Sequence, residues 1–394
     1  MKTLFAFAFI LLCFALTQYA TSLYVPAMPG MVQVFAQVTA AMVMRTLLVF
    51  FVGYMIGQLF WGVMSDYYGR KRMAVIALCI YIAMGFATGM ADKLWHFNVT
   101  YSLFGFAAAA FTSIGNAFIR DLFGKAGAPR AIAVVGLVMG SGPVIGPIAG
   151  AYLVHWFNWS AVFFCLAILG IIALVGMLCL VPETHQQANR TQNQAWHKTY
   201  LSLFRHPRYV GYLIILGCSF GGVYGFLDSM PFIVRHYLQA DLILSGYLLM
   251  LASLGTLLGA VGVFLAVKRF GIQCLLRVGL ICILLGGVLL AVCAGLHSRN
   301  AWLVVWPMAL ATLGFGLCMP LCKAGAMTTF EQNAGAASSM MKFVQILLTN
   351  IVLLAVSHWH HANSLWPMAV MIMVLALIAV MVYIGLVRKR AHKH

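Results

Sequence analysis

The sequence is poor in charge, and above all in acidic charge. Charged residues make up 8% of its 394 residues and only seven residues are Asp or Glu, whereas 63% are hydrophobic. A soluble domain of this size cannot hide that much apolar surface, but a bilayer accepts it because side chains facing acyl tails need no burial against protein. The composition therefore predicts an integral membrane protein.

Several chemical signatures are missing as well. The ten cysteines stand in apolar stretches without metal or redox spacing, so we interpret them as small buried hydrophobes. The sequence has no P-loop, no catalytic triad and no metalloprotease spacing. The run His358-Trp359-His360-His361 has no carboxylate or cysteine nearby, so we interpret it as an interfacial turn. We predict no enzymatic activity, no metal site and no cofactor, with an ion gradient, expected to be protons, as the energy source.

The net charge of +17 rests on 24 Lys and Arg residues. On a soluble protein this excess would indicate nucleic acid, but no basic patch with interleaved aromatics is present, so we predict no nucleic-acid partner. Most basic residues fall on one side of the apolar runs, which predicts cytoplasmic N- and C-termini. We expect a multi-pass monomer in a bacterial inner membrane, with the lipid bilayer and a small-molecule substrate as its partners.

Hydropathy predicts an all-α integral membrane fold with twelve transmembrane helices in two pseudo-symmetric six-helix bundles. Each apolar run can cross about 30 Å of hydrocarbon at about 1.5 Å per residue. The first run lacks a convincing cleavage site, so we keep it as a span and not a signal peptide. The predicted spans 1 to 12 cover residues 4–24, 42–65, 74–92, 97–120, 130–155, 159–181, 209–233, 242–267, 274–296, 301–325, 336–357 and 363–387.

A long polar stretch divides the chain into two halves. We predict an N-terminal bundle over residues 1–181, a cytoplasmic linker over 182–208, and a C-terminal bundle with a short basic tail over 209–394. Three glycines recur at one constant offset in the two halves, which indicates duplication, as in many secondary carriers. They are Gly53, Gly57 and Gly69 in the first half and Gly255, Gly259 and Gly271 in the second.

The loop between spans 2 and 3 carries a pattern of glycine and charge. Its residues are Gly62, Asp66, Gly69, Arg70, Lys71 and Arg72. The glycines allow a tight turn, and Asp66 can accept hydrogen bonds from free backbone amides or pair with Arg70. We predict that this cluster gates the cytoplasmic side. The alternative is an ordinary charged loop that only sets orientation.

Span 5 carries a run of small residues and prolines. They are Gly136, Gly140, Gly142, Pro143, Gly146, Pro147 and Gly150. Small residues at near-helical spacing let a neighbouring helix pack closely, and prolines bend a helix. We predict a kinked, sliding helix beside the transport cavity. A static packing face is the alternative.

These motifs resemble those of the major facilitator superfamily. The loop is similar to its signature loop, and span 5 to the antiporter signature of its proton-coupled exporters. The stretches Leu23–Pro29, Asn116–Phe123 and Ala334–Ser339 resemble the bicyclomycin/chloramphenicol-resistance (Bcr/CflA) branch of multidrug exporters. The resemblance covers nearly the whole chain. It implies export of amphipathic compounds by alternating access, in exchange for inward-moving protons.

The sequence departs from that branch at two charged positions. Ser22 stands where the branch usually has an acid in span 1, and Tyr101 stands where it usually has an arginine in span 4. Serine and glutamine can bind a substrate but do not cycle a proton near neutral pH. The candidate substrate and proton site comprises Gln18, Tyr19, Ser22, Tyr24, Tyr101, Asn116, Asp228 and Lys342.

Asp228 is the only acid in the interior of a predicted span, so it is our candidate proton carrier. The alternative is a solvated carboxylate near the outer interface. Lys323, Lys342 and Arg45 either make a cavity positive or lie at the interfaces as snorkelling or anchoring side chains.

We predict a secondary active transporter, in first place a proton-coupled exporter of drugs or amphipathic small molecules. The alternative is a carrier of an anionic metabolite or polycarboxylate siderophore, for import or export, because the basic residues would attract anions. A membrane enzyme or scaffold fits poorly, since the acidic residues are few and dispersed.

Overall fold

The computed structural model describes residues 2–35, 37–183, 206–239, 241–327, 334–359 and 364–388. All regular structure in these ranges is helical, which confirms the predicted all-α fold. The α-helices are α1 Lys2–Ser22, α2 Met28–Val34, α3 Ala40–Tyr68, α4 Arg70–Gly89, α5 Leu94–Trp156, α6 Ser160–Leu180, α7 Pro207–Phe232, α8 Leu242–Gly295, α9 Ala301–Met327, α10 Ala334–Trp359 and α11 Trp366–Val382.

The helices begin where the local sequence favours a start. Thr39 caps α3, because its side-chain oxygen accepts a hydrogen bond from the Met42 amide at 3.4 Å. Pro207 opens α7, where a missing amide proton costs nothing. Short 3₁₀ and π turns extend α1, α7 and α11. In lipid, helical hydrogen bonds satisfy the backbone within each span.

The number of spans agrees with the prediction once one bent helix is divided. Eleven helical stretches of the described chain are long and apolar enough to cross a membrane. One of them, α8, has 54 residues and contains Gly271 in a non-helical conformation. Each part of α8 can cross about 30 Å of hydrocarbon at about 1.5 Å per residue. The described chain therefore provides twelve spans.

Two predicted loops are wrong in extent, because helix continues where loops were expected. The connection over 121–129 lies within α5, and the connection over 268–273 lies within α8. Each is broken at a single glycine with positive φ, Gly124 at +60° and Gly271 at +74°. Glycine adopts this region without the steric cost that a Cβ brings, so one residue suffices to turn the chain.

The repeated glycines of the first half bring two helices into backbone contact. Gly53 and Gly57 of α3 lie against the backbone carbonyls of Ser102 and Phe106 of α5, and a Cβ at either glycine would overlap these atoms. Close approach of this kind is the packing that small residues allow in membranes.

The second half repeats this contact. Gly255 and Gly259 of α8 lie against the carbonyls of Ala309 and Leu313 of α9, again without space for a Cβ. The repeated glycines therefore perform one packing role in both halves, which supports the duplication inferred from the sequence.

The chain forms two compact units. Unit 1 is Met1–Asn189 with Leu242–Tyr247, and unit 2 is Arg190–Asp241 with Leu248–His394. In unit 1, α5 packs against α1, α3 and α4, and in unit 2, α7 packs against α9, α10 and α11. The predicted domain boundaries stay a prediction. Most of the linker, 184–205, and the tail, 389–394, lie outside the described residues.

The cysteines only partly follow the prediction that they are buried. Cys13 and Cys218 are buried, but Cys79 and Cys179 are exposed. An exposed thiol on a spanning helix is compatible with membrane insertion, because lipid takes the place of a protein core around an apolar side chain.

Candidate transport site and gate

The predicted gating motif lies at the turn between α3 and α4. Gly69 links the two helices with φ +96° and ψ 142°, a conformation that favours glycine. There is also little space for a side chain at this position, because a Cβ on Gly69 would lie 3.0 Å from Oε2 of Glu183. Gly62, one α3 residue of the motif, faces Ser113 of α5, where a Cβ would lie 3.2 Å from Oγ.

Glu183 caps the first turn of α4. Its carboxylate accepts hydrogen bonds from the backbone amides of Arg70 and Lys71, each at 3.1 Å. These amides have no partner within the helix, and a negative charge there interacts favourably with the helix dipole. Lys71 also donates from Nζ to the carbonyl of Leu178 at 2.9 Å, near the end of α6. The sequence suggested Asp66 for this role, whereas Glu183 is the second residue of the predicted linker.

Arg70 ties the motif to α5. Its guanidinium forms an ion pair with Asp121 and donates to the carbonyl of Ala117 at 2.8 Å. Asp66, which the sequence suggested as the partner of Arg70, is exposed, and Arg72 is exposed as well. Together with Glu183, this pair connects the turn between α3 and α4 to the segment that follows α6 and to α5 near its break at Gly124.

The glycines of the span 5 motif form a packing face against α1. Gly142, Gly146 and Gly150 each leave no space for a Cβ, and at Gly142 it would lie 2.6 Å from a side-chain carbon of α1. The residues that fill this space are Gln18, Ser22 and Leu23. The small-residue face is therefore a real close contact between α5 and α1.

The other members of this motif differ from the packing face. Gly136 is exposed with open space around the position of a Cβ, and Gly140 is half-exposed. Pro143 and Pro147 are buried, and α5 keeps helical dihedrals through both, with Gly124 as its non-helical residue. A sliding motion of this helix stays a prediction.

Ser22 and Tyr101, which depart from the pattern of the Bcr/CflA branch, are packed into the core of unit 1. Ser22 is 1% exposed and donates to the carbonyl of Gln18 at 2.9 Å. Tyr101 is fully buried and donates to the carbonyl of Ala20 at 2.9 Å. Both hydroxyls have partners, so these residues make structural contacts at places where a charged pair was expected from the branch.

An aromatic cluster fills the space around Tyr101. The ring centroid of Tyr24 lies 5.2 Å away, that of Phe50 5.0 Å and that of Phe97 5.2 Å. The Tyr24 hydroxyl shares a hydrogen bond of 2.6 Å with Thr46. Ring pairs at such distances add to the stability from area burial, so Tyr24 and Tyr101 belong to a packed core.

Three other candidate residues of unit 1 are accessible. Gln18 and Tyr19 are half-exposed, and Asn116 is exposed. Gln18 donates from Nε2 to the carbonyl of Met139 at 3.3 Å, and Asn116 donates to the carbonyl of Thr112 at 2.8 Å. Each keeps free polar capacity for a solute.

Asp228 lies inside α7 of unit 2 and is fully buried. Neither of its carboxylate oxygens has a hydrogen-bond partner among the described residues. The next residue, Ser229, lines an apolar cavity of about 250 Å³ between α7, α10 and α11. Asp228 is therefore buried among protein atoms and not solvated, and its role as a proton carrier stays a prediction.

Lys342 of α10 is half-exposed, and its ammonium lies 5.7 Å from the ring centroid of Phe220 of α7. Phe220 in turn packs on Tyr224 at 4.7 Å. Lys342 and Asp228 do not pair with each other, although the sequence put both in one candidate site. The contribution of Phe220 was missed, because an aromatic residue in an apolar helix gives no signal of its own.

Duplicated halves of membrane-spanning helices with charged side chains inside them are the architecture of a secondary transporter. Comparison with known families agrees. The family model of the Major Facilitator Superfamily matches residues 10–348, and the chain belongs to this family. It is therefore a multi-pass membrane transporter, in a family of transporters and not of enzymes.

Several relatives are resistance proteins. The chain is 26% identical to a bicyclomycin resistance protein homolog of Haemophilus influenzae, over 80% of this chain and 79% of that protein. It is 23% identical to multidrug resistance protein D of Escherichia coli, over 98% and 96%. It is 24% identical to a chloramphenicol resistance protein of Pseudomonas aeruginosa, over 92% and 85%. The resemblance to the drug-exporting branch is thereby confirmed.

Solved structures confirm the fold. A D-xylose-proton symporter superposes with a TM-score of 0.81 at 16% identity, over 95% of this chain and 96% of that chain. A bacterial homolog of the human lysosomal transporter Spinster, in an inward-facing conformation, gives 0.77 at 13% identity, over 100% and 98%.

Proposed function

We propose that this protein is a proton-driven exporter of amphipathic, drug-like compounds in a bacterial inner membrane, with both termini in the cytoplasm. The family membership makes it a transporter, and three relatives carry drug resistance in their names. The charge bias of the loops supports the orientation. The particular drug is not encoded in any motif of the chain.

The observation that supports proton coupling is the environment of the Asp228 carboxylate. Its side chain is fully buried and has no hydrogen-bond partner among the described residues. An unpaired carboxylate in an apolar interior costs several kcal/mol, so it is retained only with a proton or a cation, or for a function. Ser22 and Tyr101 cannot supply a titrating group in unit 1.

We assign the proton step to Asp228 on this basis. In one state of the cycle the carboxyl carries a proton and is shielded from water. In the other state water reaches it, the proton leaves to the cytoplasm, and the carboxylate is free until a proton from the outside replaces it. One proton then moves inward for each turn that moves a solute outward.

The gate follows from contacts in unit 1. The Arg70–Asp121 ion pair and the Glu183 cap hold the turn between α3 and α4 against α5 and against the segment that follows α6 in the present state. A transport cycle that opens this side must stretch or break such contacts, because each is short and directional.

Reconstitution in proteoliposomes tests the proposal. Efflux of a fluorescent amphipathic dye should build up against its gradient when a proton gradient is imposed, and should stop when a protonophore dissipates it. The Asp228→Asn variant should keep dye binding but lose uphill transport. Asp241→Asn is the matched control, because Asp241 is an exposed acid at the start of α8.

The outcomes are distinct. Uphill efflux that is indifferent to the proton gradient would refute proton coupling for the whole protein. Uphill efflux that survives in Asp228→Asn, but still needs the gradient, would refute the assignment to Asp228 only.

A further inference from the structure

The Lys342 side chain does not extend toward the near membrane surface, as the side chain of an interface-anchoring lysine would. Two glycines of α7 define the register with α10: a Cβ on Gly217 would lie 2.8 Å from Cβ of Leu348, and one on Gly221 would lie 2.9 Å from Cγ2 of Val352. The two helices therefore run parallel. Lys342 precedes Leu348 by less than two turns, so its Cα lies closer to the start of both helices than Gly217 does.

The ammonium points away from that end. Phe220, which it faces, lies near the midpoint of α7 and beyond Gly217. A helical side chain leaves the backbone tilted toward the helix N-terminus, and a snorkelling lysine would continue in that direction to reach the headgroups. Lys342 extends in the opposite direction, into the middle of the membrane-spanning part.

No anion of the described protein balances this charge. Asp228 has no partner, and Asp241 is exposed at the start of α8. Glu331, the remaining acid of this half, lies outside the described residues. An ammonium without a counter-ion among the described residues makes the local potential positive, which attracts an anion.

A second polar group lies on the same face of α10. Gln345 follows Lys342 by three residues, a spacing that puts both on one side of the helix. Gln345 is 1% exposed, and neither its amide nitrogen nor its amide oxygen has a hydrogen-bond partner among the described residues. A buried amide with both atoms unsatisfied is costly unless a ligand or an ordered water completes it.

We propose that Lys342, Gln345 and Phe220 form a subsite for a carboxylate that is attached to an aromatic ring in the transported compound. The ammonium and the amide nitrogen supply donors for the two carboxylate oxygens. Phe220 and its neighbour Tyr224 supply ring faces on which the aromatic part of the compound packs.

The half-exposed state of Lys342 and Phe220 supports this use, because the pair is not sealed into the core. A single ammonium matches a group with one negative charge better than a polyanion. This subsite rests on the proposed function, since it defines which compounds the exporter takes.

Binding to the purified protein tests the subsite without any gradient. Three probes of nearly equal shape are cinnamate, its neutral amide and cinnamylamine, which is a cation at neutral pH. The variants are Lys342→Gln and Lys342→Arg. The control is Lys268→Gln, because Lys268 is an exposed lysine of the same unit. Titration calorimetry measures each dissociation constant, and elution and thermal unfolding confirm that each variant is folded.

We expect the wild type to bind cinnamate more tightly than cinnamamide or cinnamylamine. Lys342→Gln should weaken cinnamate binding by about 10-fold or more, the factor given by about 1.4 kcal/mol, and leave cinnamamide binding unchanged. Lys342→Arg should keep part of the preference. Phe220→Leu, which serves if the lysine variants do not fold, should weaken cinnamate and cinnamamide alike.

Two results would overturn the subsite: a wild type that does not prefer cinnamate, or equal cinnamate binding in Lys342→Gln. Either result leaves proton-driven dye efflux untouched, so the proposed function can stand without it. Conversely, a lysine-dependent preference for cinnamate in a protein without proton-driven efflux would support the subsite and refute the exporter.

Discussion

Unit 1 and unit 2 share a packing scheme but treat buried polar side chains differently. In unit 1, Ser22 and Tyr101 lie in the core with their hydroxyls hydrogen-bonded to backbone carbonyls. In unit 2, Asp228 and Gln345 are equally buried, but no described residue satisfies them. An unsatisfied buried group costs about 1–3 kcal/mol, so such groups persist where function needs them.

The charged contacts show the same division. The Arg70–Asp121 pair and the Glu183 cap join helix ends in unit 1. Lys323 and Lys342 of unit 2 form no ion pair with an acid among the described residues. The two units therefore share their helix packing. The ion-paired contacts of the proposed gate lie in unit 1, and the unpaired groups to which we assign the proton and the solute lie in unit 2.

The largest expected effect comes from removing the buried acid of unit 2, Asp228. Asp228→Leu should abolish uphill transport, because no proton carrier remains in the span. It should also raise the free energy of unfolding by about 1–3 kcal/mol, since an unsatisfied polar group is replaced by an apolar one. Thermal unfolding in detergent and dye efflux measure the two effects.

The matched change in unit 1 is Tyr101→Phe. It removes a satisfied hydroxyl and leaves the carbonyl of Ala20 without this donor, so we expect a loss of about 0.5–1.5 kcal/mol. Opposite signs for the two variants would support the comparison. Equal signs would contradict it.

The next effect concerns the packing face between α5 and α1. Gly146→Val should destabilise unit 1 by about 1–3 kcal/mol or more, because the added carbons overlap Ser22. Gly136→Val on the same helix is the control, since no atom lies near its Cβ position. The yield of folded protein and the midpoint of thermal unfolding measure the difference. A similar loss for both variants would show that helix propensity and not packing is responsible.

Some features of the fold and of the candidate site could be predicted from the sequence, and others could not. Hydropathy and glycine spacing are local properties, so the spans, the duplication and the close packing at Gly146 followed from them. The partner of the α4 amides did not, because Glu183 is 113 residues away from Arg70 in the chain. The direction of the Lys342 side chain depends on the register of α7 and α10, which no pattern in either helix specifies.

Substitutions in the proposed gate should have an intermediate effect on transport and stability. Arg70→Gln and Asp121→Asn should each impair transport, and the double variant should lose less than the sum of both. The coupling free energy of residues in contact is about 0.5–3 kcal/mol, but these side chains are 17% and 27% exposed, so the lower end is expected. Additive losses in stability and efflux would show that the two residues act separately.

The smallest expected effect is on stability, from a substitution of Glu183. This substitution tests whether Glu183 acts as a specific helix cap or only through its negative charge. Glu183→Gln keeps an oxygen that can accept from the Arg70 and Lys71 amides but removes the charge at the start of α4. We expect a loss of about 0.3–1 kcal/mol, which high salt should reduce, because helix-dipole interactions at exposed sites are screened.

Asp92→Asn is the control, since Asp92 is an exposed acid of the same unit in the turn after α4. A salt-dependent loss in Glu183→Gln alone would identify the cap as the contact that holds the linker end to the gating motif. If both variants lose equal stability, unit 1 responds to its net charge and the cap contributes nothing specific. The comparison of the units would then rest on buried groups alone, because Asp228 and Gln345 are independent of surface charge.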